Sequence, residues 1–140
     1  MNQIRVVLAD DHSFVRKGIR QILGKAPEIE IVGEGENGAE ALSLVELLEP
    51  DVLLLDVEMP VMNGIQVARR LKETSTTVRV LVISAHDDRQ YILEMLDCGV
   101  SGYLTKEEVP QNLVRAVREI AGGGENWVSQ RVAARIGVSR

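Results

Sequence analysis

The chain has 140 residues, of which 45% are hydrophobic, 26% are charged and only 3% are aromatic. This size and balance predict one globular domain with an aliphatic core. The formal net charge of −5 argues against nucleic-acid binding by this chain alone, because such binding depends on lysines and arginines that neutralise phosphates.

No apolar run approaches the roughly 20 residues that a membrane-spanning helix needs, and the N-terminus lacks the basic segment and apolar stretch of a signal peptide. These features predict a cytoplasmic protein without membrane contact. The single cysteine, Cys98, has no partner for an internal disulfide, which agrees with a reducing compartment and with a small core residue.

Five apolar runs alternate along the chain with five stretches of helical periodicity. The runs that predict strands are residues 4–9, 29–32, 52–55, 80–83 and 102–104. The stretches that predict helices are residues 14–23, 41–48, 65–71, 92–96 and 113–120. Because the strands show no polar alternation, they are typical of a parallel sheet built from βαβ units and covered on both faces.

Polar side chains follow four of the predicted strands at their carboxyl ends. They are Asp10, Asp11, Asp56, Ser84 and Lys106. Ligands of open α/β sheets bind outside the carboxyl ends of the strands, so we expect these groups to converge there. Carboxylates that lie close together repel one another unless a positive charge lies among them. A set of ligands made only of oxygen atoms favours Mg²⁺ as that charge. An aspartate can also act as a nucleophile toward phosphorus.

Each of these residues has a simpler interpretation when taken alone. Asp10, Asp11 or Ser13 is suited to cap the first helix, and an aspartate at a strand end is more often a cap than a nucleophile. Ser84 by itself indicates nothing, and a single Lys106 is usually a solvated surface charge. The combination at four strand ends is what favours a functional site.

Four segments resemble the receiver (CheY-like) domain of bacterial two-component response regulators over about residues 3–122. They are the acids Asp10-Asp11, "LLLDVEMPVMNG", "ISAH" and "GYLTK", which occur in the order and spacing of that family. "VVLADDHSFVRKGIRQIL" resembles the NarL/FixJ (LuxR-type) subfamily, whose members usually continue into a helix-turn-helix DNA-binding domain. The resemblance implies a flavodoxin-like, doubly wound (βα)5 fold with a five-stranded parallel sheet in the order 2-1-3-4-5.

The resemblance implies that Asp56 is the phosphoacceptor of a sensor histidine kinase. It implies Mg²⁺ as the cofactor, with Asp11, Asp56 and the backbone carbonyl of Glu58 as ligands and Asp10 reaching the metal through water. It also implies a signalling domain rather than an enzyme, with at most Mg²⁺-dependent self-phosphorylation and autodephosphorylation.

The remaining roles follow from the same resemblance. Lys106 corresponds to the cation that pairs with the phosphoryl group, Ser84 to the switch hydroxyl, and Tyr103 to the aromatic side chain that turns inward. Glu58 and His86 occupy the positions that flank the path of attacking water, so we expect them to tune hydrolysis. Many receivers have a proline after the lysine; here glutamates follow, and the isomer of the Lys106–Glu107 bond is left open.

Two other function classes compete with this interpretation. Residues 33–38, "GEGENG", match the G-x-G-x-x-G pattern of a dinucleotide-binding enzyme, but they follow the second strand, and Glu34 and Glu36 would repel a pyrophosphate. A glycine-rich turn explains the segment better. A phosphatase with an aspartate nucleophile has a D-x-D pattern, and Glu58 is a poor substitute for its second aspartate.

Three glycines at residues 122–124 separate the receiver, residues 1–122, from a tail, residues 123–140, that we interpret as a linker. Ser129 is a candidate helix cap. Apolar residues at helical spacing follow it: Val132, Ala133 and Ile136. The tail is basic because of Arg131, Arg135 and Arg140. No helix-turn-helix fits after residue 122, so we expect either a truncated chain, with DNA contacted only through an absent effector domain, or a stand-alone receiver. We expect the chain to form a homodimer when it is phosphorylated.

Overall fold

In a computed structural model, residues 3–74, 76–124 and 127–137 are described, and they form a parallel sheet with helices on both faces. The strands are β1 (Ile4–Ala9), β2 (Ile29–Gly35), β3 (Val52–Asp56), β4 (Arg79–Ser84), β5 (Gly102–Thr105) and β6 (Trp127–Val128). The α-helices are α1 (Ser13–Leu23), α2 (Gly38–Leu48), α3 (Gly64–Glu73), α4 (Arg89–Asp97), α5 (Val109–Ala121) and α6 (Gln130–Ile136). All five predicted strands and all five predicted helices are confirmed.

The strands lie in the order β2-β1-β3-β4-β5-β6. The first five follow the predicted order, but the prediction of five strands is corrected to six. Trp127 and Val128 add a short edge strand by pairing with Gly102 and Tyr103. A glycine is required at 102, because a Cβ there would lie 2.8 Å from the carbonyl oxygen of Trp127. A strand of two residues leaves no periodicity in the sequence, so nothing in the pattern predicted it.

Buried aliphatic side chains form one layer on each face of the sheet, because successive residues of a strand point to opposite faces. In β3, Val52 and Leu54 pack with α1 and α5, whereas Leu53 and Leu55 pack with α2, α3 and α4. All four are fully buried. No helix in the described ranges is long and apolar enough to cross a bilayer.

The tail packs against the edge of the sheet as a strand and a helix. Ser129 caps α6 by accepting the N–H of Val132 at 3.2 Å, and Val132 and Ala133 are buried, which confirms the helical pattern. Arg131 forms ion pairs with Glu107 and Asp87. Arg135 also reaches Asp87, at 3.2 Å, whereas Arg140 lies outside the described residues.

The segment after β5 is a 3₁₀ turn over Lys106–Glu108. No peptide bond in the described segments is cis, so the Lys106–Glu107 bond is trans. Glu108 Oε1 accepts hydrogen bonds from the Thr105 hydroxyl at 2.8 Å and from the buried Ser129 hydroxyl at 2.5 Å. The turn that carries Lys106 is therefore tied directly to the tail.

We expect Ser129→Ala to lower the free energy of unfolding by about 1–2 kcal/mol, because it removes the α6 cap and one of the two hydroxyl donors to Glu108 Oε1. Urea unfolding followed by circular dichroism measures the change. Ser43→Ala, at an exposed position of α2, is the matched control and should leave stability nearly unchanged. Equal midpoints for Ser129→Ala and the wild type would contradict the role of this contact.

Candidate functional site

The predicted site residues converge at the carboxyl ends of the strands. Asp10 directly follows β1, and Asp56 is the last residue of β3, its neighbour in the sheet. Both carboxylates are almost completely buried, with side chains 3% and 4% exposed, whereas Asp11 is more open. Burial of these carboxylates follows from their position, because β1 and β3 lie inside the sheet and are covered on both faces.

The three aspartates and His12 can each bring one ligand atom into a group whose members lie within 4.8 Å of one another. Asp56 Oδ2 is buried and has no hydrogen-bond partner within the described segments. An oxygen-rich donor set with an unpaired buried oxygen fits a hard cation such as Mg²⁺. The residues present therefore fit the predicted metal.

Lys106 supplies the positive charge of the site. Its Nζ lies 3.6 Å from Asp56 Oδ2 and 3.7 Å from Asp10 Oδ2. Burial and the neighbouring Asp10 raise the pKa of Asp56, Lys106 opposes them, and the net result is a pKa of about 6. At neutral pH most Asp56 side chains are still ionised, so the site holds a carboxylate that is poorly compensated.

Ser84 is the last residue of β4, and Tyr103 lies in β5, the neighbouring strand. Ser84 and Tyr103 are fully buried, and the Tyr103 ring already lies inside the protein. The backbone of His86 joins the two residues: its N–H donates to Ser84 Oγ at 2.9 Å, and its carbonyl accepts from the Tyr103 hydroxyl at 2.7 Å. Burial raises the pKa of Tyr103 to about 12, so the hydroxyl keeps its proton as a donor.

Glu58 and His86 contact each other at the rim of the site. The His86 ring bonds to the Glu58 carboxylate and stacks on Tyr91, with ring centroids 5.0 Å apart. The bond from His86 lowers the pKa of Glu58. The backbone N–H of Glu58 points to Asp56 Oδ1 at 3.4 Å. This pair therefore joins the loop after β3 to the loop after β4.

The loop from Asp56 to α3 depends on a close approach at Gly64. A Cβ at this position would lie 2.7 Å from the Cα of Val57 and 2.8 Å from the Asp56 carbonyl oxygen. Asn63 and Gln66 cap α3 reciprocally in a capping box. The glycine and the cap together fix how the chain runs from Asp56 into α3.

His12 is a site residue that the sequence analysis did not single out. It occupies the N-cap position of α1 without making a side-chain capping bond, so none of the three residues suggested as caps holds that position. Its Nδ1 lies 3.0 Å from Asp11 Oδ1 and 3.2 Å from Asp10 Oδ1. Its place directly after two aspartates was the available signal.

The glycine-rich segment 33–38 serves packing. A Cβ at Gly38 would lie 2.0 Å from the Met62 carbonyl oxygen, so the last glycine lets α2 approach the loop after β3. Glu34 and Glu36 face Arg16 at 3.3 and 3.4 Å. The segment thus presents carboxylates and their arginine partner, which favours the simple turn over a pyrophosphate site.

Comparison with known proteins identifies the family of this chain. Residues 6–118 match the model of the response regulator receiver domain. The chain is 45% identical over 123 residues to the transcriptional regulatory protein DegU of Brevibacillus brevis, covering 88% of this chain and 52% of DegU. It is 38% identical over 118 residues to the nitrate/nitrite response regulator protein NarL of Escherichia coli strain K12, covering 84% of this chain and 55% of NarL.

Among solved structures, a LuxR-family two-component response regulator from Aurantimonas sp. SI85-9A1 superposes with a TM-score of 0.91 at 30% identity, covering 97% of this chain and 96% of that chain. The chain belongs to the response regulator receiver family, within which its relatives are of the NarL and DegU type. Receiver domains are signalling domains rather than classical enzymes. The chain spans about half the length of the curated relatives it matches.

We expect Asp56→Asn to stabilise the fold at neutral pH in the absence of divalent cations. The pKa of Asp56 is raised from 3.8 to about 6. Between these values the folded chain keeps a proton that the unfolded chain loses, so wild-type stability falls as pH rises through this window. Above about pH 6 the folded chain bears the full free-energy cost of an ionised, buried Asp56. Asp56→Asn removes this cost and should raise the free energy of unfolding by roughly 2–3 kcal/mol.

Urea unfolding in chelator at a series of pH values from 4 to 7 measures this effect. The gain from Asp56→Asn should shrink as the pH approaches 4. Asp97→Asn, at an exposed position at the end of α4, is the control and should keep the wild-type pH profile. Parallel profiles for the wild type and Asp56→Asn would show that burial of Asp56 is not the cause.

Proposed function

We propose that Asp56 accepts a phosphoryl group from the phosphohistidine of a sensor histidine kinase. The observation that carries this proposal is the buried carboxylate whose Oδ2, without a hydrogen-bond partner among the described residues, faces Lys106 at 3.6 Å. An anionic oxygen held in this way is a nucleophile toward phosphorus. The same chemistry extends to small phosphoryl donors such as acetyl phosphate.

In the transfer, an Asp56 oxygen forms the new O–P bond while the N–P bond of the donor breaks, and the released imidazole takes a proton from solvent. Lys106 lies between the buried carboxylates and offsets the charge of the transferring group. Mg²⁺ would be held by Asp11, Asp56 and the Glu58 carbonyl, with Asp10 through water. When bound, it supplies further positive charge to the phosphoryl oxygens.

The response to phosphorylation passes through Ser84. Its hydroxyl donates to a phosphoryl oxygen on Asp56 while continuing to accept the N–H of His86. Movement of Ser84 is then transmitted to Tyr103 through the His86 carbonyl, which the Tyr103 hydroxyl already contacts at 2.7 Å. A local charge change thereby shifts the loop between β4 and α4.

The output of this receiver is control of transcription by a DNA-binding domain that is not part of residues 1–140. DegU is named as a transcriptional regulatory protein and NarL as a response regulator, and the chain spans about half the length of each. Residues 123–140 would connect the receiver to that domain. Homodimerisation on phosphorylation suits paired DNA half-sites.

We expect acetyl phosphate and Mg²⁺ to add one phosphoryl group to the wild type, detected by intact-mass analysis. Asp56→Asn should remain unmodified because it lacks the nucleophile, and chelation of Mg²⁺ should suppress the wild-type reaction. Asp97→Asn is the matched control and should be modified normally. Full modification of Asp56→Asn would exclude Asp56 as the acceptor.

The same phosphorylated sample tests the proposed homodimerisation by sedimentation velocity. A shift from monomer to dimer on phosphorylation supports homodimerisation. A monomer in both states would count against it while leaving phosphoryl acceptance intact.

We expect Glu58→Ala and His86→Ala to change the rate of phosphoryl loss from Asp56 by more than about twofold, equivalent to roughly 0.4 kcal/mol in barrier height. Both side chains lie where they can orient or exclude attacking water, and their mutual contact predicts that the double variant differs little from either single one. Decay of phospho-Asp56 after donor removal measures the rates, with exposed Gln90→Ala on α4 as control. Decay rates within twofold of the wild type in every variant would show that Glu58 and His86 have no influence on hydrolysis. We expect all variants to accept the phosphoryl group normally.

A further inference from the structure

We propose that Arg16 is a positioning residue for the aspartates that hold the cation, an inference that rests on the proposed function. Its Nη1 donates to the backbone carbonyl oxygen of Asp10 at 2.6 Å. Its other nitrogens face the carboxylates of Glu34 at 3.3 Å and Glu36 at 3.4 Å. The Arg16 side chain is only 11% exposed, so its bond to Asp10 is largely shielded from water, whereas the Glu36 carboxylate lies at the surface.

Arg16 closes the segment that carries Asp11. One end of this segment is held where the Asp10 N–H continues the sheet by donating to the Gly35 carbonyl at 3.1 Å. The other end is the first turn of α1, where the Arg16 N–H donates to the His12 carbonyl at 3.1 Å. Asp11 itself lies at the surface, paired with His12, so the closed segment is what sets its direction.

The position of Arg16 has no explanation within its own helix. A cation in the first turn of a helix opposes the macrodipole, and α1 has no acidic residue in that turn. The compensation comes from Glu34, near the end of β2, and Glu36, in the loop after it. A guanidinium can bond a carbonyl and two carboxylates at once because its donors form a rigid planar fork, and the ammonium of lysine lacks that geometry.

The charge of Arg16 and its positioning role predict opposite changes in Mg²⁺ affinity when Arg16 is removed. As a charge near the site, Arg16 repels a divalent cation, so its removal should tighten Mg²⁺ binding. As a positioning group, it orients the carboxylates, so its removal should weaken Mg²⁺ binding. Residues that orient metal ligands typically change metal affinity by about 10–100-fold, which exceeds the opposing effect of one partly screened charge.

Calorimetric titration of Mg²⁺ into the 140-residue chain tests this inference with Arg16→Met and Arg16→Lys. We expect both variants to bind Mg²⁺ about tenfold more weakly. Arg20→Met is the matched control, because Arg20 lies one turn later and pairs with Glu34 at 2.5 Å without a bond to Asp10. It loses the same charge and should bind Mg²⁺ as tightly as the wild type, or more tightly.

A second readout separates positioning from general destabilisation. With acetyl phosphate, Arg16→Lys should need about tenfold more Mg²⁺ for half-maximal phosphorylation, and its rate at saturating Mg²⁺ should approach that of the wild type. Glu36→Gln, which leaves Arg16 in place but removes one anchor, should show a smaller shift in the same direction and covers the case in which Arg16→Met does not fold.

The outcomes distinguish this inference from the function on which it rests. Mg²⁺ binding to Arg16→Met that is as tight as in the wild type, or tighter, overturns the positioning role. A lower plateau rate with an unchanged Mg²⁺ requirement also overturns it. If the wild type and Asp11→Ala bind Mg²⁺ equally, the metal assignment itself has failed.

Discussion

Three carboxylates meet at one edge of the sheet, and two of them, Asp10 and Asp56, are almost completely buried. Such crowding is unfavourable unless positive charge offsets it. Lys106 offsets it only in part, at 3.6 and 3.7 Å, which leaves Asp56 with a raised pKa and one oxygen without a hydrogen bond in the described structure. The fold thus holds a crowded set of carboxylates whose mutual repulsion a hard cation would relieve.

The two-residue alternation of the strands distributes the residues of this site between positions of the two faces of the sheet. Asp56 and Lys106 continue the strand positions that pack with α1 and α5, whereas Ser84 and Tyr103 belong to the face of α2, α3 and α4. The backbone of His86 bonds to both Ser84 and Tyr103. Ser84, at the end of β4, and Tyr103, in β5, are therefore connected through a single peptide segment.

Charged pairs between loops hold the rim of the site in place. Arg16 joins the end of β1 to the loop after β2, and Glu58 joins the loop after β3 to His86. On the opposite side, Asp87 and the turn after β5 bond to the tail through Arg131. The loops that carry the site residues are thus joined by electrostatic contacts, which are more readily rearranged than the aliphatic layers beneath them.

The sequence alone determined the alternating strands and helices, the order of the first five strands through the family resemblance, and the convergence of Asp10, Asp56 and Lys106. It could do so because continuous apolar runs specify buried parallel strands, and parallel strands bring their carboxyl ends to one edge. Tertiary structure decided the sixth strand, the trans bond after Lys106 and the pairing of Glu108 with Ser129. The isomer of the Lys106–Glu107 bond is a local feature, but no proline follows Lys106 to mark it in the sequence. The sixth strand and the Glu108–Ser129 pair join segments distant in the chain, and such contacts depend on packing geometry, which leaves no periodic signal in the sequence.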